Sequence, residues 1–290
     1  MEFNQLSDIV EYCQREQKDI AQAMLDYEMR NKHLTREQVY EGLKRVLLVM
    51  EESVEQGLTQ MVISPSGMLN NWAKKVYNAP VETLGPSLKK AVARAIAVGE
   101  VNACMGKIAA APTAGSAGIM PAVVVTMMEE HKIPRQKILD GLLVSAAVGL
   151  VFAKNSSFAG SEAGCMGETG SAAAMAAATI VYLLGGTNEQ ILEAVGFALK
   201  ASMGLVCDPV AGLVEEPCTT RNAVGVANAF VSAQMALAGI SSLIPADEVI
   251  FATKEVGDLM SPRLKESGQG GLANTRTGRE IQKKVFKTVE

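Results

Sequence analysis

The chain has 290 residues, 48% of them hydrophobic, and a net charge of −4 with 27 Lys and Arg scattered along it. That is enough apolar material for one large domain or two small ones, and the lack of a basic stripe argues against nucleic acid as the main partner. The first residues include Glu2, Asp8 and Glu11 and no apolar signal core, so a cytoplasmic location is expected. Five cysteines in that setting point to metal, catalysis or burial rather than to disulfides.

The first third reads as charged, amphipathic helix. Over residues 5–31, Leu6, Ile9, Cys13, Ile20, Met24 and Leu25 fall mostly on one face at helical spacing. Thr35-Arg36-Glu37-Gln38 is a capping box, in which the Thr hydroxyl and Gln38 satisfy each other's free amides. The helix it opens carries Leu43, Val46, Leu47 and Met50, and Gly57 is its expected terminator. A further helix is predicted over 87–104.

Past residue 104, Ala- and Gly-rich apolar segments alternate with small-residue loops at 111–116, 155–170 and 207–220. A second capping box, Thr187-Asn188-Glu189-Gln190, opens a helix to about Ser202. Pro245 suits the first turn of another, which Ser261-Pro262 ends. Two stretches, 169–188 and 223–246, contain no charged residue and are long enough to raise a membrane reading. They mix Ala with Ser, Thr, Gly, Asn and Gln and lack anchors at both ends, so they read as helices buried in a core, with no membrane partner. Strand patterns are hard to find, while Ala and Met favour helix. The prediction is an all-α, single multi-helix domain over 1–290, with N-terminal amphipathic helices over 1–60 and a peripheral C-terminal arm over 267–290.

Cys165, Cys207 and Cys218 lie in the small-residue segments, spaced C-x41-C-x10-C. Neighbouring glycines would let backbone amides approach an inorganic core, and thiolates of this kind hold iron–sulfur clusters. The spacing is not a ferredoxin pattern, and buried free cysteines also serve as small core hydrophobes. Cys13 and Cys104 fit that second reading. Three thiolates would leave one iron open to an outside ligand, the feature that separates catalytic from closed metal sites, and an open iron is a Lewis acid. A zinc site completed by His33 or His131 is the competitor, although neither histidine is near a cysteine in sequence.

Lys107-Ile108-Ala109-Ala110-Ala111-Pro112-Thr113-Ala114-Gly115-Ser116-Ala117-Gly118-Ile119-Met120-Pro121 resembles a signature of the α chain of bacterial iron–sulfur L-serine dehydratases. The segment 160–168, Cys207-Asp208-Pro209-Val210, Pro217-Cys218 and Arg221-Asn222 are similar to that family's cluster loops, and Gly270-Gly271-Leu272-Ala273 with Thr277-Gly278 to its C-terminal segment. The resemblance implies an all-helical catalytic domain holding a [4Fe–4S] cluster on Cys165, Cys207 and Cys218, and deamination of L-serine to pyruvate and ammonia without pyridoxal phosphate. It also implies the two-subunit form, with a separate β subunit in an oligomeric assembly. Some single-chain relatives end in a cysteine that occupies the open iron; this chain ends Lys287-Thr288-Val289-Glu290, so that device is expected to be absent.

In this reading Thr113, Gly115 and Ser116 form an anion nest for the substrate carboxylate, and Ser64-Pro65-Ser66-Gly67 resembles a second substrate loop. Ordinary turn chemistry is the alternative for both. Lys107, a lone charge among apolar residues, could act as base or carboxylate partner if burial lowered its pKa, or could simply snorkel to the surface. Asn155, Ser156, Glu162 and Glu168 are further candidates, as is a base from the β subunit. Competing activities are a related lyase such as an L-cysteine desulfidase, and a non-catalytic electron-transfer or iron-sensing module.

Overall fold

Asp19, Thr35 and Thr187 start three helices through the same local exchange of hydrogen bonds. Gln38 N donates to Thr35 Oγ1 at 3.3 Å while Thr35 N donates to Gln38 Oε1 at 2.8 Å, and the Thr187–Gln190 pair repeats this at 3.2 and 2.9 Å. A computed structural model describes residues 2–80 and 83–287 of the chain. Its helices are α1 (Leu6–Glu16), α2 (Ile20–Asn31), α3 (Arg36–Thr59), α4 (Trp72–Tyr77), α5 (Pro86–Ala103), α6 (Ile119–Glu129), α7 (Arg135–Asn155), α8 (Gly160–Cys165), α9 (Ser171–Leu183), α10 (Asn188–Ser202), α11 (Cys218–Leu237), α12 (Ala246–Leu259) and α13 (Arg276–Lys287). No strand forms among the described residues beyond two isolated bridges, Ile63 with Asn70 and Cys207 with Lys265. The all-α prediction holds.

The architecture is arranged around α9. Its sequence is apolar on every side, and a helix of that kind must be enclosed. Helices α6, α7, α10 and α11 enclose it, and Ala172, Ala173, Ala174, Ala176, Ala177 and Ala178 are fully buried. Alanine is the best helix former and loses no rotamer entropy on burial, so a core of alanines lets helices approach closely at little entropic cost. Around this centre α5 packs on α3, α4 and α11, α2 on α7, and α12 on α10 and α8. Of the uncharged stretches, 169–188 supplies α9 and most of 223–246 supplies α11. Among the described residues one helix, α7, is long and apolar enough to cross a membrane by length and composition, and 67% of its apolar window is buried inside the fold.

The expected amphipathic segment over 5–31 forms two helices, because Gln17 turns left-handed (φ 53°) and the Asp19 carboxylate takes the Gln22 amide at 2.8 Å to begin α2. Three local expectations need correcting. Gly57 does not end its helix. It lies two residues before the end of α3, where a Cβ would come within 2.4 Å of the Ala97 carbonyl oxygen, so its small size permits the α3–α5 contact. The segment 155–170 is mostly helical, as the end of α7, then α8, then a π-helical turn over Met166–Gly170. The arm over 267–290 is not peripheral at its base: Ala273 is buried and Leu272 N donates to Asp208 Oδ2 at 2.7 Å. The last residues, 288–290, lie outside the described ones.

Candidate active site

The three cysteines come from three different backbone settings. Cys165 closes α8, whose irregular Gly164 (φ 65°) brings it next to the Leu205 carbonyl. Cys207 lies in extended chain held on both sides: its amide donates to Leu264 O at 2.9 Å and its carbonyl accepts from Glu266 N at 2.7 Å. Cys218 is the first residue of α11. Two of the three therefore sit at helix ends rather than in open loops, which corrects the sequence expectation.

All three thiols are buried, and they lie within electrostatic reach of one another. Burial pushes the Cys207 thiol far above its ordinary range, with Glu168, Cys165 and Cys218 adding to the shift. Burial also raises Cys218, to about 12, with Cys165 contributing. Cys165 is raised by burial too, against the opposing Thr169 hydroxyl, 3.0 Å from its sulfur, and the Arg221 guanidinium. Three converging buried thiols that would repel one another as thiolates form a donor set suited to a cationic core. Gly160 leaves space there: a Cβ would come within 2.7 Å of Cys207 Sγ.

Among the described residues, no three His, Cys, Asp or Glu side chains converge on a single-ion position. A polynuclear cluster relaxes that demand, because each thiolate binds a different iron. The residues fit such a group. His131 pairs with Ser87 at 3.1 Å on an exposed surface, and neither it nor His33 is brought to the cysteines.

The loop carrying Thr113, Gly115 and Ser116 sits beside this cluster of thiols. Thr113 Oγ1 donates to Glu168 Oε1 at 2.8 Å and lies 3.2 Å from Ser116 Oγ. Cys207 Sγ approaches the other oxygen of the same carboxylate at 3.7 Å. Gly115 and Gly160 flank that carboxylate, and a Cβ on either would come within 3 Å of it. Burial raises the proton affinity of Glu168, with the Thr113 hydrogen bond opposing. The Ser64–Gly67 turn is tied to a different segment: Ser64 Oγ lies 3.2 Å from Ser66 Oγ, and Ser66 Oγ donates to Glu215 Oε2 at 2.5 Å. Glu215 is buried three residues before Cys218, so this turn is fastened to a cysteine segment. Gly67 has φ 77°, which a side chain would disfavour.

Other candidates lie elsewhere. Lys107 is exposed and lines a cleft of about 1120 Å³ between α2, α3 and α7, so the burial that the base reading required is not met. Asn155 donates its amide to Asn4 O at 2.7 Å and Val151 O at 2.8 Å, where it tethers the N-terminal segment. Glu162 is exposed. Cys13 is in the core, and Cys104 Sγ donates to Ile63 O at 3.2 Å. Asp208, Glu215, Arg221 and Asn222 were given no role by the sequence. Asp208, Arg221 and Asn222 had stood out only as parts of segments that resemble cluster loops, and Glu215 only as a charge near Cys218.

The family model for the serine dehydratase alpha chain matches residues 15–273. The chain belongs to that family. It is 46% identical over 288 residues to the L-serine dehydratase alpha chain of Peptoniphilus asaccharolyticus, covering 98% of this chain and 99% of that one. It is 45% identical to the probable L-serine dehydratase alpha chain of Bacillus subtilis (strain 168), covering 98% and 95%. Another member, the L-serine dehydratase of Streptomyces coelicolor, is 37% identical over 82% of this chain but only 53% of its own length.

Proposed function

We propose that this chain is the catalytic α subunit of a two-chain L-serine dehydratase, holding a [4Fe–4S] cluster on Cys165, Cys207 and Cys218 and converting L-serine to pyruvate and ammonia. The observation that carries the reading is the Thr113–Glu168–Cys207 chain, in which one partly buried carboxylate joins the candidate substrate loop to a cysteine. End-to-end similarity to two proteins named as alpha chains, against half-length similarity to the longer S. coelicolor enzyme, supports a separate β subunit.

When bound, a cluster with one iron free of protein sulfur supplies Lewis acidity for the departing hydroxyl group. The chain's own residues supply binding and proton handling. The Thr113 and Ser116 hydroxyls and the amides about Gly115 offer donors to the substrate carboxylate. Glu168 is then placed to take the Cα proton on a carboxylate oxygen, since its position between Thr113 and Cys207 faces both substrate and cluster. Loss of that proton and of the β-hydroxyl, together one water, leaves aminoacrylate, which tautomerises to an imine and is hydrolysed to pyruvate and ammonia. The Ser64–Gly67 turn closes the other side of the site, held through Ser66 and Glu215.

Assaying the anaerobically reconstituted chain with its β subunit on L-serine, D-serine, L-threonine and L-cysteine tests this. Pyruvate from L-serine is the expected result. Sulfide and pyruvate from L-cysteine alone would make it a desulfidase, and no turnover with an intact cluster would overturn the lyase reading.

A further inference from the structure

Two neighbours on the first turn of α11 reach in opposite directions. Arg221 spans Cys207: its Nη1 donates to the Val206 carbonyl at 2.8 Å, and its Nη2 pairs with Asp208 Oδ1 at 2.8 Å. Asn222 turns to the other loop, with Nδ2 donating to Gly115 O at 2.6 Å and Cys218 O at 2.7 Å, and Oδ1 accepting from Gly118 N at 2.9 Å.

We propose that Arg221 and Asn222 are paired positioning residues, Arg221 fixing the Cys207 segment and Asn222 aiming the Thr113–Ser116 loop at it. The roles of the two segments rest on the function proposed above, but the division of labour is geometric.

The Arg221–Asp208 pair is nearly enclosed, with side chains 16% and 3% exposed. Removing the guanidinium would leave a buried carboxylate without its counter-charge, so the segment would have to move to reach water. Asp208 also takes the Leu272 amide on Oδ2. Gly271 makes that approach possible, since a Cβ there would come within 2.2 Å of Asp208 Oδ2. Arg221 thus braces the Cys207 segment and the base of the C-terminal arm through one carboxylate.

Asn222 is 2% exposed and uses both ends of its amide. Its carboxamide offers donors to two carbonyls and an acceptor to an amide in one plane, and only glutamine, longer by one methylene, carries the same group. An aspartate in its place would face the Gly115 and Cys218 carbonyls with oxygen and no donor.

The test compares wild type, Arg221→Gln and Asn222→Asp as full-length chains, with Arg221→Lys and Asn222→Ser as milder variants should the first pair fold poorly. Hydrogen exchange read by mass spectrometry on the metal-free chain needs neither cluster nor substrate. Arg221→Gln should speed exchange over 205–209 about tenfold and leave 113–118 unchanged, and Asn222→Asp should do the reverse. In the anaerobically reconstituted protein with its β subunit, Arg221→Gln should lose iron to a chelator about tenfold faster or more. Asn222→Asp should raise KM for L-serine about tenfold with the cluster's absorption unchanged. Both variants loosening the same segment, or neither loosening any, would overturn the proposal. Wild type that fails to hold iron or turn over serine, with the exchange pattern as described, would instead reject the function reading and leave the positioning roles standing.

Discussion

In α1–α3 nearly all the polar side chains face outward, and apart from Ser53 the buried residues, among them Leu6, Ile9, Cys13, Met24, Leu47 and Met50, are largely apolar at helical spacing. Around Cys165, Cys207 and Cys218 the polar groups are inside: Ser64, Ser116, Thr169, Asp208, Glu215 and Asn222 are all buried. Buried polar groups are costly unless paired: Asp208, Glu215 and Asn222 are paired across the chain, with Leu272, Ser66 and Gly115, while Ser64, Ser116 and Thr169 are paired within a few residues, with Leu69, Thr113 and Cys165. A surface that only needs to pack can be made from apolar periodicity. A pocket that must hold charge has to be built from long-range polar contacts, and their concentration in one region marks where chemistry is supported.

The contrast can be broken most directly at the thiols. Cys165→Ala, Cys207→Ala and Cys218→Ala should each abolish the brown cluster chromophore on anaerobic reconstitution, whereas Cys13→Ala and Cys104→Ala should retain it, as read by visible absorption. A retained chromophore in any of the first three removes that ligand. Next in size is Glu168→Gln, which should lower kcat about 100-fold or more while leaving the cluster absorption in place. Loss of chromophore together with activity would make Glu168 a support for Cys207 rather than a proton carrier. In the packing region, Gly57→Ala should cost about 1–3 kcal/mol in a denaturant titration, because its methyl meets the Ala97 backbone. The smallest effect is expected at Lys107→Met, no more than about twofold in kcat/KM, since this side chain is exposed in a cleft lined by Glu28, Leu34, Val39 and Leu143.

Much of this was legible in the sequence where the determinant is local. The capping boxes at Thr35 and Thr187 begin helices where expected because the interaction spans three residues. Gly57 was misread because the same absence of a side chain serves a helix stop and a tight helix crossing, and only the position of Ala97 decides between them. Lys107 was left open between a buried and a surface reading because its neighbours are apolar, and its exposed place on a cleft wall favours the second. Thr113 is linked to Cys207 through Glu168, and Ser66 is fastened to Glu215 in the segment that leads to Cys218. The bonds that hold those loops, such as Asn222 to Gly115 across 107 positions, have no local pattern from which spacing could reveal them.

The proposal that three protein sulfurs leave one iron of a cubane free is tested most directly by Mössbauer spectroscopy of the chain reconstituted with 57Fe, with and without L-serine. The account predicts cubane stoichiometry of iron and sulfide, one iron site distinct from the others, and a shift of that site alone when L-serine is added. Four equivalent irons that ignore L-serine, or a chain that retains no iron at all, would contradict it.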